Sequence, residues 1–273
     1  MRATLLLVAA AMGSVCATGF VATVSPACQT VTGLNDYTKV DCVECNAVDA
    51  AEAGPPCAHT FCASFDDTTT VSGWNALAQS PATTIQLDTQ QVKSPPSSLL
   101  VTLPASADGT LVTTLTETFA KPFKGAHLEV DLRVGPAAFA SADAAGAGIV
   151  RLASISVPDF ASASGVSLAW RADGPVVLVA TSGDGGVTET AYKLTSAPAV
   201  DTWVHVRLDT VLAGGGGGNV KVTFDGATVL DQGGLSIVGA GEQALQLDLG
   251  LVSRDQTPEL RANYDNATLD LDP

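Results

Sequence analysis

The chain has 273 residues and 46% hydrophobic content, enough to bury the core of one domain in the size range common for β-sandwiches. Its 13 Lys and Arg stand against 28 Asp and Glu, a formal net charge of −15, and no basic run is long enough to follow a phosphate backbone. Nucleic acid is excluded as a partner, and the absence of a Walker loop, a G-x-S-x-G elbow and an H-E-x-x-H helix removes the commonest nucleotide, esterase and metalloprotease chemistries.

Residues 1–28 read as an export signal: Arg2 opens a short positive start and TLLLVAAAMG is its apolar run. The apolar stretch continues with interruptions to Val24, which also meets the ~20 residues of a membrane span, so an uncleaved signal anchor is the alternative. Processing has three competing points: after Ala17, a lipobox at Cys16, and a lipobox at Cys28. Ala27 supplies the small residue that bacterial lipoprotein signals place before the lipidated cysteine. Lipidation at Cys28 leaves Cys42, Cys45, Cys57 and Cys62, an even set, whereas the other routes leave five cysteines. The expectation is a cell-envelope lipoprotein of a bacterial outer membrane or surface, with secretion as the alternative. In an oxidising compartment the four remaining cysteines pair as disulfides in one of three connectivities, in preference to the zinc site that C-x2-C and C-x4-C spacing also permits.

Residues 29–60 have few large apolar residues and no sustained period, and Pro55-Pro56 interrupts them, so they form a linker stapled by cysteines. The compact domain spans 61–273. It opens with FCASFDD, passes the Gly73-Trp74 pair, and enters a strand after the Pro95-Pro96 break. Alternation then marks strands at 127–134, 148–157, 165–172 and 175–182, with Asp173-Gly174 as a hairpin signal between the last two. Trp170 shares its face with Val166 and Leu168 and is assigned to the core. Val204, Val206 and Leu208 alternate with Trp203, His205, Arg207 and Asp209, and Val220, Val222 and Phe224 with Lys221, Thr223 and Asp225. Five glycines at 214–218 form a slack turn between these two strands, and ALQLDLGLV and YDNATLDL close the chain. No amphipathic helix of three turns is visible. Short strands near ten-residue spacing predict an all-β fold, a two-sheet antiparallel β-sandwich.

The W-x-H-V strand, the strand ending in F-D-G-x-x-V and the closing Y-D-N strand resemble the laminin-G-like and concanavalin A-like lectin/glucanase jelly rolls. The F-D-D start and G-W pair resemble the opening of carbohydrate-binding jelly rolls. The resemblance implies a jelly roll and a glycan-related or adhesive role. It also directs attention to His127, Glu129, Asp131 and Arg133, which alternation places on one strand face. Retaining glucanases of that superfamily carry Glu-x-Asp-x-Glu, and Glu129 and Asp131 match its first two positions. Arg133 takes the third, and a guanidinium cannot alternate as acid and base. The expectation is therefore a non-catalytic module that binds a glycan on this face, not an enzyme, with a structural or adhesive envelope protein as the alternative. His205 is read as a framework residue. Jelly rolls of this kind also bind calcium where first and last strands meet, which makes Asp66, Asp67, Asp265 and Asn266 the candidate ligands of a structural Ca²⁺; no other cofactor is expected.

Overall fold

The computed structural model of the chain describes residues 57–67, 69, 71–105, 110–120, 123–136, 148–158, 163–183, 186–237, 244–254 and 259–273. The segment read as an export signal, with Cys28, and the segment read as a linker up to residue 56, with Cys42 and Cys45, lie outside the described residues. Among the described residues fifteen strands make two antiparallel sheets, the two-sheet sandwich that alternation predicts.

The first sheet runs β13 (Ala227–Leu235), β12 (Gly218–Phe224), β11 (Trp203–Val211), β6 (Gly125–Val134), β15 (Leu260–Asp272), β4 (Ser98–Leu103) and β3 (Thr84–Asp88), with β1 (Phe61–Ala63) also paired to β15. The second runs β10 (Gly186–Lys193), β9 (Gly174–Gly183), β8 (Ala163–Arg171), β7 (Ile149–Pro158), β14 (Leu245–Arg254), β5 (Leu111–Phe119) and β2 (Ala76–Gln79). Turn chemistry sets several connections. Asp225 and Gly226 both have positive φ, 48° and 80°, as a tight two-residue hairpin between β12 and β13 requires. The Asp173-Gly174 signal falls where β8 turns into β9, with Arg171 opposite Gly174.

Each sheet turns one alternate set of apolar side chains inward. Leu128, Val130 and Leu132 of β6, with Val204, Val206 and Leu208 of β11, meet Leu245, Leu247 and Leu249 of β14 and Val166, Leu168 and Trp170 of β8 in one buried cluster. Burial at this level stabilises by about 1.5–3 kcal/mol for each large aliphatic side chain.

One polar group ties the sheets across this core. The pairing of β14 with β7 breaks register between Leu249 and Val252, and Tyr264 of β15 places its hydroxyl 3.0 Å from both the Leu152 and the Gly250 carbonyls there. Tyr264 is fully buried, and burial raises its phenol pKa above the ordinary value, so it acts only as a neutral donor. Gly250 has φ of +137°, and a Cβ there would lie 2.1 Å from the Thr113 carbonyl oxygen. Only glycine fits this bulge.

Candidate functional site

The outer face of the first sheet gathers the charged residues that alternation singles out. Strand β6 lies between β11 and β15, so Arg133 stands opposite Trp203 on one side and Asn263 on the other. Two residues along β6, Asp131 stands opposite His205 and Asp265. Further along come Glu129 opposite Arg207, and His127 opposite Asp209.

All four predicted β6 residues thus share the face, and each is already paired. His127 binds Asp209 through Nδ1 at 2.7 Å and Asp272 through Nε2 at 3.0 Å. Burial works to lower the His127 pKa, but the hydrogen bonds and charges of Asp209 and Asp272 outweigh it, and the net shift is upward. Glu129 accepts from Arg207 Nη1 at 3.0 Å, while Arg207 Nε reaches Asp209 at 2.8 Å. These groups form a network along the sheet that reaches His205, whose Nε2 lies 3.6 Å from Glu129 Oε2.

The chemistry concentrates at the other end of β6. Arg133 Nη1 donates to Asn263 Oδ1 at 3.2 Å, Nε to the Asp201 carbonyl at 3.1 Å, and Nη2 lies 2.8 Å from Asp201 Oδ1. His205 Nδ1 is 3.2 Å from Asp131 Oδ1, and Asp131 Oδ2 accepts from Asn266 Nδ2 at 2.9 Å. The imidazole is further fixed through its backbone, because Asp225 Oδ1 accepts from His205 N at 2.9 Å. A histidine oriented by a carboxylate therefore lies diagonal to a guanidinium on the adjacent strand, a cross-strand separation of ~7–8 Å between such positions. Beside Arg133 a cleft of about 590 Å³ opens over β4, β15 and β6, with Leu100, Arg261, Asn263, Asp88 and Asp201 among its walls. His205, Asn263, Asp201 and Arg261 are the members that sequence reasoning missed. Alternation puts His205 and Trp203 on a polar face, but nothing local shows that β11 pairs with β6.

Of the tryptophans, Trp170 is in the core, as its strand face implies, and Trp74 packs between Phe61 and Phe65. Trp203, half-buried on the outer face, stands opposite Arg133.

The outer face of the second sheet carries another polar row. Asp248 of β14 accepts from Thr116 Oγ1 at 2.6 Å and from Gln246 Nε2 at 2.9 Å, Ser154 and Ser167 pair at 2.9 Å, and Arg151 forms an ion pair with Glu189. Burial raises the Asp248 pKa against the opposing effect of the Thr116 and Gln246 hydrogen bonds and the Arg151 charge.

The calcium candidates take a different arrangement. Asp265 is fully buried and accepts from Lys93 N at 3.0 Å, Ser94 N at 2.8 Å, Ser94 Oγ at 2.9 Å and Asn266 N at 2.9 Å. Its oxygens face N–H and O–H donors that anchor the loop before β4. Asp66 and Asp67 are exposed, and the Asp66 carboxylate accepts from Ser97 N at 3.5 Å. Among the described residues no three His, Cys, Asp or Glu side chains gather in a group that could hold a metal. Cys57 and Cys62 form a disulfide five residues apart.

No family model matches the chain, and no curated protein matches its sequence. Solved structures do share the fold. An endo-β-1,4-glucuronan lyase from the fungus Trichoderma reesei superposes with a TM-score of 0.60 at 13% identity, over 78% of this chain and 95% of that one. A cellulose-induced protein, Cip1, gives 0.53 at 12% identity over 77% and 96%, and the marine alginate lyase from Aplysia kurodai gives 0.52 at 8% identity over 74% and 92%. The chain is thus similar in fold to jelly-roll sandwiches, two of these three being polysaccharide lyases. This corrects the expectation of a non-catalytic binding or adhesive module. That expectation tested the face for hydrolysis alone, and Arg133 does remove the second carboxyl group that hydrolysis needs. Elimination has the opposite requirement, a fixed cation beside a substrate carboxylate.

Proposed function

We propose that the chain is a polysaccharide-cleaving enzyme of the lyase type, acting by β-elimination on a polymer that contains uronic acid. One observation carries the proposal: Arg133 and Asn263 lie side by side at a cleft, one row from His205 held by Asp131. In such a reaction a base removes the proton from the carbon next to the substrate carboxylate. The electrons of that bond form the carbon–carbon double bond as the bond to the glycosidic oxygen breaks, and that oxygen takes up a proton. Arg133 and Asn263 suit the carboxylate, whose charge grows as the proton leaves, through donors already in place. In its neutral form His205, with Nδ1–H given to Asp131, has Nε2 as its basic nitrogen, 3.6 Å from Glu129 Oε2; Nε2 takes the substrate proton, and the imidazolium so formed, paired with Glu129, returns it to the leaving oxygen.

The test is to incubate purified protein with glucuronan, alginate and a neutral β-glucan and follow the ultraviolet absorbance of unsaturated uronide ends. Turnover on an acidic polymer, lowered about 100-fold or more by Arg133→Ala and by His205→Gln, is expected. New reducing ends without unsaturation, or no cleavage of either acidic polymer, overturns it. A second reading moves the chemistry to the other sheet, where burial raises the Asp248 pKa and suits it to act as a proton donor. Activity lost in Asp248→Asn and retained in Arg133→Ala selects that reading instead.

The laminin-G-like placement, the division at residues 28 and 60, and export with a lipid on Cys28 belong to the same proposal. They suit an enzyme held at the cell envelope against external glycan. Two or more acyl chains give stable retention that one does not. Mass spectrometry of the mature amino terminus tests this, since an unlipidated terminus at Thr18 or Phe20 removes the anchor.

A further inference from the structure

Asp201 occupies Arg133 in a way that structural need alone does not require. The segment ahead of β11 is already fastened to β6 by its backbone, with Asp201 N donating to the Val134 carbonyl at 2.8 Å. The Asp201 carbonyl also takes Arg133 Nε at 3.1 Å. Yet the side chain turns to the guanidinium too, with Oδ1 at 2.8 Å from Nη2. It does so from a left-handed backbone, φ +58°, that few residues other than Gly, Asn and Asp adopt. Its side chain is 48% exposed whereas that of Arg133 is 18% exposed, so the carboxylate sits at the rim of the cleft and the guanidinium below it.

We propose that Asp201 is a specificity-determining residue, an internal carboxylate that holds the substrate-carboxylate position on Arg133 until a polymer displaces it; this rests on the elimination reading given above. A single ion pair at an exposed rim contributes at most about 1 kcal/mol, so it is replaceable. A uronate in a polymer brings its neighbouring sugar units into the cleft with it and wins the exchange. A monosaccharide, or a short product, has only its own carboxylate to offer and loses. Asp201 thereby selects for length and speeds product release. The cleft's formal charge supports this. Arg133 and Arg261 face Asp88, Asp201 and Glu259, and the excess negative charge disfavours a lone anion.

Titration calorimetry with glucuronate and with a glucuronan oligomer tests this on the purified full chain, using Asp201→Asn and Asp201→Gly, both of which accept the left-handed backbone. Both variants are expected to bind glucuronate up to about fivefold more tightly, with a smaller change for the oligomer and a lower KM accompanied by a lower kcat. If Arg133→Ala loses uronate binding while both Asp201 variants bind as wild type or more weakly, the inference fails and the elimination reading stands. If Arg133→Ala binds uronate as wild type does, the elimination reading fails with it.

Discussion

Tyr264 shows how much one residue holds in this sandwich. Its hydroxyl has one hydrogen and two carbonyl partners, Leu152 and Gly250, both at the break in register between β7 and β14. Tyr264→Phe keeps the ring and strands both carbonyls in a dry core, so a loss of about 1–3 kcal/mol is expected from denaturant unfolding. A loss below a few tenths would show that the bulge does not depend on this donor. Gly250→Ala is expected to be worse, because its Cβ meets the Thr113 backbone at 2.1 Å and backbone cannot swing aside as a side chain can. The sequence shows Tyr264 only as part of a closing Y-D-N strand. Nothing local announces that residues 152 and 250 leave their ladders together, since a bulge is a property of two strands. The same limit applies to the candidate site. Alternation made the faces of His127, Glu129, Asp131, Arg133 and His205 legible, but Asn263 and Asp201 arrive from segments more than sixty residues away.

At the scale of elements, two histidines fasten the end of β15. His127 of β6 holds Asp272, with Asp209 of β11 on its other side, and His59 ahead of β1 holds Asp270 at 2.7 Å. The folded pKa of His127 lies above its unfolded value, so its contribution is complete below the ordinary histidine range and is lost as pH rises through the folded value. Asp270 runs the other way. The hydrogen bond from His59 holds its pKa below the ordinary carboxylate value, so its contribution is present above that value and is lost as pH falls through the lowered one. Unfolding free energy measured against pH is expected to fall on the alkaline side of the histidine range, and His127→Gln to flatten that limb only. An unchanged alkaline limb in His127→Gln would remove the latch. The loop before β4 makes a separate case. Asp265 holds it by accepting from two backbone N–H groups and a hydroxyl, contacts that need no cation, so chelator is expected to leave the melting temperature unchanged. A drop in EDTA that added calcium restores would reinstate the metal.

The whole molecule sets a condition on the proposed substrate. At a net charge of −15, the chain repels an anionic polymer at long range, while Arg133 meets a substrate carboxylate only by direct contact in a cleft whose acidic residues outnumber its basic ones. Salt acts differently on the two effects. The Debye length falls from about 30 Å at 0.01 M to about 10 Å at 0.1 M, which screens the diffuse repulsion first and leaves contacts in the partly buried cleft nearly intact. Added salt is therefore expected to raise kcat/KM on an acidic polymer across this range through faster association. The gain should reverse only at much higher concentrations, where the guanidinium contacts are also screened. A neutral β-glucan bound to the same face should show no such rise. A monotonic fall with salt from the lowest concentration would mean that local attraction outweighs the field of the whole chain. Asp201→Asn would then be expected to steepen that fall, because it removes a negative charge beside Arg133.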